Sequence, residues 1–305
     1  MNKIPNPWSL QVEMTQGCNR RCEICGIHSL GKEASHYKFM VPSLAEKIAV
    51  EMNEWIPKGR RIEFALQGEP TINPKASEII HLFRDNYPKC QMMLNTNGYK
   101  LSKERILSYF NAGLNFLLID IYDEPTMELC RKMMHWNLPI KIEDFHSGFN
   151  VYQNYGKPEM QRIVLMDNHK NDSWKKTRVR KINNQAGFTP IETQKKYGIY
   201  VDEPLKKNCS NVHRELVIKY DGLVPFCCMN WSRVNPIGKF PNQSLQELWT
   251  SPKFQAVRQM LYNKDRAVAP CNKCNYSGFK LGFIKDPEFD MSREEMLELI
   301  TNVQQ

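Results

Sequence analysis

Eight of the ten cysteines of this 305-residue chain fall into two groups towards the two ends of the sequence. Three are spaced C-x3-C-x2-C and five are spread over residues 209–274; they are Cys18, Cys22 and Cys25, then Cys209, Cys227, Cys228, Cys271 and Cys274. In a reducing compartment clustered cysteines indicate metal ligands rather than disulfides. The chain must therefore fold so that two thiol sites form. The isolated Cys90 and Cys130 are expected to be small buried hydrophobic residues.

The number of thiols in the first group limits which kind of metal centre it can hold. A structural zinc site uses four ligands in a closed tetrahedron. Iron–sulfur clusters are held by thiolates, and a loop of three cysteines leaves one iron of a 4Fe–4S cluster open to a further ligand. Cys18, Cys22 and Cys25 therefore favour a catalytic cluster, with a partial zinc site as the alternative.

The hydropathy pattern predicts a protein outside the membrane. No apolar run approaches the roughly 18–20 residues needed to cross a bilayer. Residues 1–18 lack the apolar core of a signal peptide, so we expect a cytoplasmic protein without a membrane partner.

The first half alternates short apolar runs with amphipathic stretches of about ten residues. The runs are residues 10–14, 62–66, 92–94, 116–121 and 140–142, and the helix-like stretches are 43–55, 75–85, 102–112 and 124–134. Such alternation predicts βαβ units and a parallel sheet. Five or six units are too few for an eight-fold barrel, so we predict an α/β fold with a partial, TIM-like (β/α)6 barrel, whose site lies at the carboxyl ends of the strands.

The second half is polar and then rich in cysteine. Residues 157–219 hold fourteen Lys and Arg against seven Asp and Glu, with Trp174 beside Lys175 and Arg178 close by. This excess predicts an anionic partner, either a phosphate-bearing molecule or nucleic acid, unless it is only a solvated face. Further elements are predicted as strands at 163–166, 216–219 and 223–227 and helices at 245–261 and 291–301, the last capped by Ser292.

The first cysteine loop, which follows a predicted strand, resembles that of the radical S-adenosylmethionine (SAM) superfamily. The resemblance implies that Cys18, Cys22 and Cys25 hold the catalytic 4Fe–4S cluster and that its open iron chelates SAM. One electron then breaks the sulfonium bond, and the resulting 5′-deoxyadenosyl radical abstracts hydrogen from the substrate. An electron donor such as flavodoxin or ferredoxin is implied as a partner.

Two later motifs extend this resemblance. Gly68, Glu69 and Pro70 stand at the end of the second strand, where the superfamily has Gly-Gly-Glu, and imply a site for the SAM ammonium. Asn97 closes the third strand within a Thr-Asn-Gly turn, and Asp120 in the fourth strand matches a position that binds the SAM ribose. A helix-capping role for Asp120 stays open.

The second group resembles the Twitch domain, the short form of the SPASM domain. The resemblance implies that Cys209, Cys227, Cys271 and Cys274 hold an auxiliary 4Fe–4S cluster, although Cys228 could replace Cys227 and a four-cysteine zinc site is an alternative. We therefore predict a barrel over residues 1–205, with its basic segment at 148–205, a small α+β cysteine-rich domain over 206–285, and a terminal helix over 286–305.

Residues 183–187 resemble a segment of the aminocyclitol-oxidising dehydrogenases of this superfamily. Gln185 stands there in place of an arginine that the family places at the catalytic site, and an amide cannot supply the charge of a guanidinium. Gln185 therefore argues against transferring alcohol oxidation to this chain and leaves the SAM chemistry untouched. From the basic stretch we expect a radical SAM enzyme acting on a nucleotide-linked or phosphorylated small molecule by oxidation, rearrangement or epimerisation. Modification of a nucleic-acid base or a peptide is one alternative. A non-catalytic, zinc-stabilised nucleic-acid-binding protein is another.

Overall fold

The computed structural model describes residues 4–144, 160–167, 183–278 and 291–302. Its strands are β1 (Ser9–Val12), β2 (Thr15–Gln16), β3 (Lys38–Phe39), β4 (Arg61–Phe64), β5 (Gln91–Thr96), β6 (Phe116–Ile121), β7 (Lys141–Asp144), β8 (Arg162–Asp167), β9 (Glu215–Ile218), β10 (Leu223–Val224) and β11 (Gly238–Lys239). Its helices are α1 (Pro42–Trp55), α2 (Ala76–Asn86), α3 (Lys103–Asn111), α4 (Glu124–Met133), α5 (Ile191–Lys196), α6 (Asn211–Arg214), α7 (Leu245–Thr250), α8 (Pro252–Tyr262) and α9 (Arg293–Thr301).

Seven strands form one sheet in the order β7-β8-β6-β5-β4-β1-β9. The pairs β4–β5, β5–β6, β6–β8 and β7–β8 are parallel, with helices α2, α3 and α4 in the connections. Strand β8 lies between β6 and β7. The chain therefore forms the edge strand β7 first, and β8 then pairs with both β7 and β6. The predicted parallel α/β architecture is confirmed.

The chain divides into two compact units. The cysteine unit comprises the described residues of Met1–Gln11, Gln16–Lys38 and Ile182–Gln305, and it contains both cysteine groups. The sheet unit comprises those of Val12–Thr15 and Phe39–Lys181, and it contains β4 to β8 with their helices. The predicted domain boundaries stay a prediction.

The two faces of the sheet in the sheet unit differ sharply in polarity. One face is apolar and almost fully buried, through Ile62, Phe64, Met92, Leu94, Leu117, Ile119, Ile121 and Ile163. Because side chains alternate along a strand, the registered neighbours on the other face are Arg61, Glu63, Gln91, Met93, Asn95, Phe116, Leu118, Asp120, Arg162, Val164, Met166, Lys141 and Glu143. This face therefore combines polar groups with the buried apolar cluster of Leu118, Val164 and Met166, a mixture suited to line a binding site.

Helix boundaries in the sheet unit follow from capping residues. The Ser102 hydroxyl accepts a hydrogen bond of 3.3 Å from the Arg105 N–H and starts α3, as predicted. The Asp123 carboxylate does the same for Thr126 at 2.9 Å and starts α4. Pro42 lies in the first turn of α1, where its missing N–H has no cost.

One predicted helix is wrong, because residues 245–261 form two helices. Ser251 ends α7 and caps α8, since its hydroxyl donates to the Leu248 carbonyl at 2.9 Å and accepts from the Phe254 N–H at 3.3 Å. Pro252 has no N–H to continue the hydrogen-bond ladder of α7, so the helix restarts there. The predicted cap of the terminal helix is confirmed, because Ser292 and Glu295 form a capping box at the start of α9.

The two isolated cysteines are core residues, as predicted. Cys90 is fully buried and Cys130 is 2% exposed. Burial raises the pKa of the Cys90 thiol to about 12, which keeps it neutral. Among the described residues, no helix has both the length and the apolarity needed to cross a membrane.

Candidate active site

The first cysteine loop is held by a tight backbone turn. Gly17 has a φ of +99°, and a Cβ at this position would lie 2.9 Å from the Ala34 carbonyl oxygen. This close approach lets the Cys18 N–H donate to that same oxygen at 3.0 Å. Within the loop, the Cys25 N–H donates to the Cys22 carbonyl at 2.9 Å, which returns the third thiol towards the first two.

The three thiols of this loop suit a cationic group. The pKa of Cys25 is raised to about 12, chiefly by burial and also by charge repulsion from Cys22 and Cys18, while a hydrogen bond from the Ile27 N–H opposes the rise. Thiolates this close are unfavourable on their own and become favourable around bound iron, whose charge compensates them. The loop therefore fits the cluster that its spacing predicts.

Four cysteines of the second group line one cavity. Its walls are formed by Cys209, Cys227, Cys271 and Cys274, together with Ala186, Val212, Met229, Leu261, Arg266, Pro270 and Tyr276. Cys228 is absent from this lining, whereas Cys227 belongs to it. The structure thus brings together the four predicted ligands from three separate stretches of the chain.

Buried Arg266 gives this cavity a positive wall. Its guanidinium is held by main-chain carbonyls, donating to Lys207, Asn208 and Tyr276 at 2.8, 3.0 and 2.7 Å. Neutral carbonyls satisfy the N–H groups without cancelling the charge of a side chain that is only 2% exposed. Four thiolates around an iron–sulfur cluster supply that negative charge, so the donor set fits an anionic cluster.

The same geometry argues against a single zinc ion. A tetrahedral zinc draws four thiolates to about 2.3 Å from one point. Across the described parts of the chain, no three His, Cys, Asp or Glu side chains come together closely enough to hold one ion. The four cysteines instead line one cavity without meeting at a single point.

Cys228 lies beside the cavity as a partner of Cys227. A thiol hydrogen bond from Cys228 lowers the pKa of Cys227 and raises that of Cys228. The Asn211 amide contacts the Cys228 sulfur at 3.8 Å. Cys228 therefore donates a hydrogen bond to the more acidic Cys227, and Cys227 is the one of the two that lines the cavity.

In the sheet unit, Glu69 joins the ends of two strands. Its Oε1 accepts from the Thr71 N–H at 3.1 Å and from the hydroxyls of Thr71 and Thr96, each at 2.6 Å. Its Oε2 accepts from the Asn97 N–H at 2.8 Å. Burial raises the pKa of Glu69, and these four donors oppose that rise. The predicted Glu69 and Asn97 are thus direct neighbours.

The other predicted residues of the sheet unit lie near these strand ends. Gly68 precedes Glu69, and Pro70 begins a short 3₁₀ turn over Pro70–Ile72. Asp120 is half-buried near the carboxyl end of β6, on the polar face and in register with Met166. Asn95 of β5 lies on the same face, and its buried Oδ1 has no hydrogen-bond partner within the described residues. These groups form a polar edge that can accept hydroxyl or ammonium donors.

The predicted Gln185 lies in a strained turn of the cysteine unit. Gln185, Ala186 and Gly187 have φ values of +51°, +56° and +85°, a left-handed run that is costly for the first two. The Gln185 side chain is not free, because its Oε1 accepts from the Trp231 Nε1–H at 3.3 Å and its Nε2 donates to Asn183 at 3.1 Å.

Sequence reasoning missed the residues that hold this turn in place. The fully buried Asn184 donates to the Lys273 carbonyl at 2.7 Å, and its Oδ1 accepts from the Asn275 N–H at 3.1 Å. The Asn275 side chain accepts from the Asn184 N–H at 2.8 Å in return. In the sequence, the sign of this contact is Asn275 directly after Cys274. Its spacing does not identify Asn184 as its partner.

The described part of the basic stretch at 157–219 contains both exposed and buried cations. Arg214 and Lys219 are 3% and 1% exposed, and Arg214 pairs with Glu215. Arg162 is paired with Glu143 at 2.7 Å. Lys195 and Lys196 are exposed, while Trp174, Lys175 and Arg178 lie outside the described residues. The predicted anionic partner therefore stays a prediction.

Comparison with protein families gives two matches. Residues 12–178 match the radical SAM superfamily, and residues 209–275 match the SPASM iron–sulfur cluster-binding domain. A curated relative is the S-adenosyl-L-methionine-dependent 2-deoxy-scyllo-inosamine dehydrogenase of Niallia circulans. It is 20% identical over 267 residues, which are 87% of this chain and 92% of that protein.

Solved structures share the fold. The crystal structure of BtrN in complex with AdoMet and 2-DOIA superposes with a TM-score of 0.66 at 16% identity, covering 95% of this chain and 99% of that one. Native anSMEcpe with bound AdoMet gives a TM-score of 0.50 at 14% identity, covering 81% and 82% of the two chains. At these identities the likeness concerns the fold alone.

Proposed function

Since this chain belongs to the radical SAM superfamily, we propose that its two cysteine groups hold one catalytic and one auxiliary 4Fe–4S cluster. SAM and 4Fe–4S clusters, including an auxiliary cluster, are the cofactors of enzymes that combine these two domains. The predicted radical SAM enzyme with a SPASM-type domain and a partial barrel is confirmed at the level of family and fold.

In this proposal Cys18, Cys22 and Cys25 bind the catalytic cluster. Cys209, Cys227, Cys271 and Cys274 bind the auxiliary one, supported by the cavity that these four line beside Arg266. Cys18, Cys22 and Cys25 would hold the catalytic cluster, which would supply the electron for reductive cleavage of SAM.

The residues of the sheet unit hold the organic ligands in this proposal. Glu69 fixes the turn at Thr96 and Asn97 through its four hydrogen bonds, so the adjoining main chain near Gly68 and Pro70 is rigid where SAM is expected. Asp120 accepts from the ribose hydroxyls, because it stands near a strand end on the polar face of the sheet. Glu69 itself acts by positioning in this proposal, since both of its oxygens already accept hydrogen bonds from its own unit.

The substrate is a small polar molecule in this proposal. The polar face near Asp120 and Asn95 carries acceptors suited to hydroxyl or amino groups, together with apolar Leu118 and Val164. We retain hydrogen abstraction from that substrate as the central step. The outcome is then oxidation through the auxiliary cluster, rearrangement or epimerisation, and the phosphate that the basic stretch predicts is an additional feature of the substrate.

The single observation that carries this proposal is the arrangement of four thiols around one cavity, in a chain with the three-thiol radical SAM loop. Anaerobic reconstitution followed by iron analysis should give about eight irons per chain. Reduction in the presence of SAM should release 5′-deoxyadenosine, detected by mass spectrometry. The Cys22→Ala variant should release none. Stoichiometric zinc without SAM cleavage would refute the proposal in favour of the zinc-stabilised binding protein.

A further inference from the structure

We propose that Trp231 is a positioning residue that couples the first cysteine loop to the cavity of the second cysteine group. The inference rests on the proposed function, because it concerns the two cluster sites which that function assigns. No step of the chemistry passes through Trp231 itself. Its role is to make the arrangement of the first cysteine loop depend on whether the second cysteine site is filled.

Trp231 reaches the first loop by direct contact with Gly26. A Cβ at Gly26 would lie 2.4 Å from Nε1 and 2.5 Å from Cε2 of the indole, so only glycine leaves room for the ring. Gly26 directly follows Cys25. The indole is 4% exposed and packs in one apolar cluster with Ile27 and the partly buried Cys18 and Cys25. A shift of the ring towards Gly26 therefore moves the backbone next to Cys25.

Trp231 reaches the second site through Gln185. The indole Nε1–H donates to Gln185 Oε1 at 3.3 Å, and Gln185 is fixed by the Asn183 side chain, which accepts from its backbone N–H at 2.9 Å. Ala186, the next residue, lines the cavity with the four cysteines. Two side chains thus connect the Cys25 backbone to the wall of the auxiliary site.

The turn that carries Gln185 has little freedom to absorb a displacement. A Cβ at Gly187 would lie 2.7 Å from the Lys273 Cβ, so the turn packs directly on the Cys271–Cys274 loop. Asn184 and Asn275 exchange hydrogen bonds between side chain and main chain at 2.8 and 3.1 Å. Close-packed groups without slack transmit a shift rather than damping it. Filling the auxiliary site should therefore stabilise the arrangement of the first loop that binds SAM.

The test uses Trp231→Phe in the reconstituted, reduced holoenzyme. Phenylalanine keeps an aromatic ring and removes the N–H donor. Trp249→Phe is the matched control, since Trp249 is also buried and donates its Nε1–H to the Pro5 carbonyl at 2.9 Å, away from the cavity wall. The readouts are the SAM dissociation constant and the electron paramagnetic resonance spectrum of the SAM-bound catalytic cluster.

Loss of this hydrogen bond should weaken SAM binding roughly two- to tenfold and alter the spectrum. Trp249→Phe should change neither. Removing the auxiliary cluster by Cys271→Ala should also weaken SAM binding, and adding Trp231→Phe to that variant should have little further effect, because both act through one linkage. Fully additive effects, or a Trp231→Phe protein that matches wild type in both readouts, would overturn the inference.

Gln185→Leu provides an independent test that leaves the indole in place. It removes the acceptor and should reproduce the shift of Trp231→Phe, while the double variant should be no weaker than either single one. If the Trp231→Phe protein does not load iron, the SAM dissociation constant of Gln185→Leu tests the inference instead. Failure of the proposed function appears separately, as wild-type protein that neither forms the clusters nor cleaves SAM.

Discussion

The backbone N–H of Asn97 donates a hydrogen bond of 2.8 Å to Oε2 of the buried Glu69. This bond links the segments that follow β4 and β5. The other oxygen of Glu69 is shared by Thr71 and Thr96. A residue predicted to receive the SAM ammonium is therefore occupied by donors from its own unit, and its first effect is on the shape of the main chain.

Glu69→Gln should destabilise the protein and weaken SAM binding. The amide replaces one acceptor oxygen with a donor, so at least one buried N–H or hydroxyl loses its partner, at a cost of roughly 1–3 kcal/mol. Thermal unfolding and equilibrium binding of SAM measure the two effects. Glu247→Gln is the control, because Glu247 accepts from Ser244 at an exposed helix cap and its loss should be small. Equal unfolding temperatures for both variants would contradict the prediction.

Cys227 and Cys228 should behave differently despite being neighbours. Cys227→Ala removes a thiol from the cavity wall and should lower the iron content from about eight to about four per chain. Cys228→Ala should keep about eight, because its thiol is not part of that wall. Iron and sulfide analysis after anaerobic reconstitution distinguishes the two. Equal iron loss in both variants would assign Cys228 to the cluster as well.

Asn184→Ala should selectively impair the auxiliary site. The substitution removes the Asn184 partner of the Lys273 carbonyl, the Asn275 N–H and the Gln194 side-chain oxygen, which costs roughly 1–3 kcal/mol for each buried group left unpaired. The loop after Cys271 then loses its anchor, so auxiliary iron should fall while 5′-deoxyadenosine formation from SAM persists at a reduced rate. Asn86→Ala removes a single bond to the Leu82 carbonyl and serves as the control. Loss of the catalytic cluster first would count against this assignment.

Acid should destabilise the protein through His213. Burial, together with the nearby Arg258, lowers the pKa of His213 from 6.5 to about 4, and its buried Nε2 has no hydrogen-bond partner within the described residues. Because the folded-state pKa lies below the unfolded one, the stabilisation is complete above pH 6.5 and declines as the pH falls towards about 4.

The size of this effect is on the order of 1.4 kcal/mol per pH unit within that window. Unfolding of wild type and His213→Gln, compared between pH 7.5 and pH 5.5, measures it, since acid lability of the clusters is common to both proteins. The variant should show a shallower pH dependence than wild type. Parallel curves would show that His213 does not titrate with unfolding.

Local signals predicted the elements of the sheet unit well. Ser102 and Pro42 identify helix starts because capping and missing donors act within one turn of the chain. The apolar pattern continues across Ser251 and Pro252, so hydropathy alone predicts one helix where the proline divides it into two. Composition also cannot distinguish a buried cation from an exposed one, since Arg214 and Lys219 of the basic stretch are buried while Lys195 and Lys196 are exposed.

By itself, the sequence determined which chemistry this protein can carry out, because thiol number and spacing within Cys18–Cys25 depend only on neighbours along the chain. Only the tertiary structure decided that Cys227 rather than Cys228 faces the cavity, that Arg266 lines it, and that Glu69 is already satisfied. It also placed Trp231 between Gly26 and Gln185, which are 159 positions apart in sequence. The physical reason is that contacts between distant residues depend on packing and burial, and no local pattern records them.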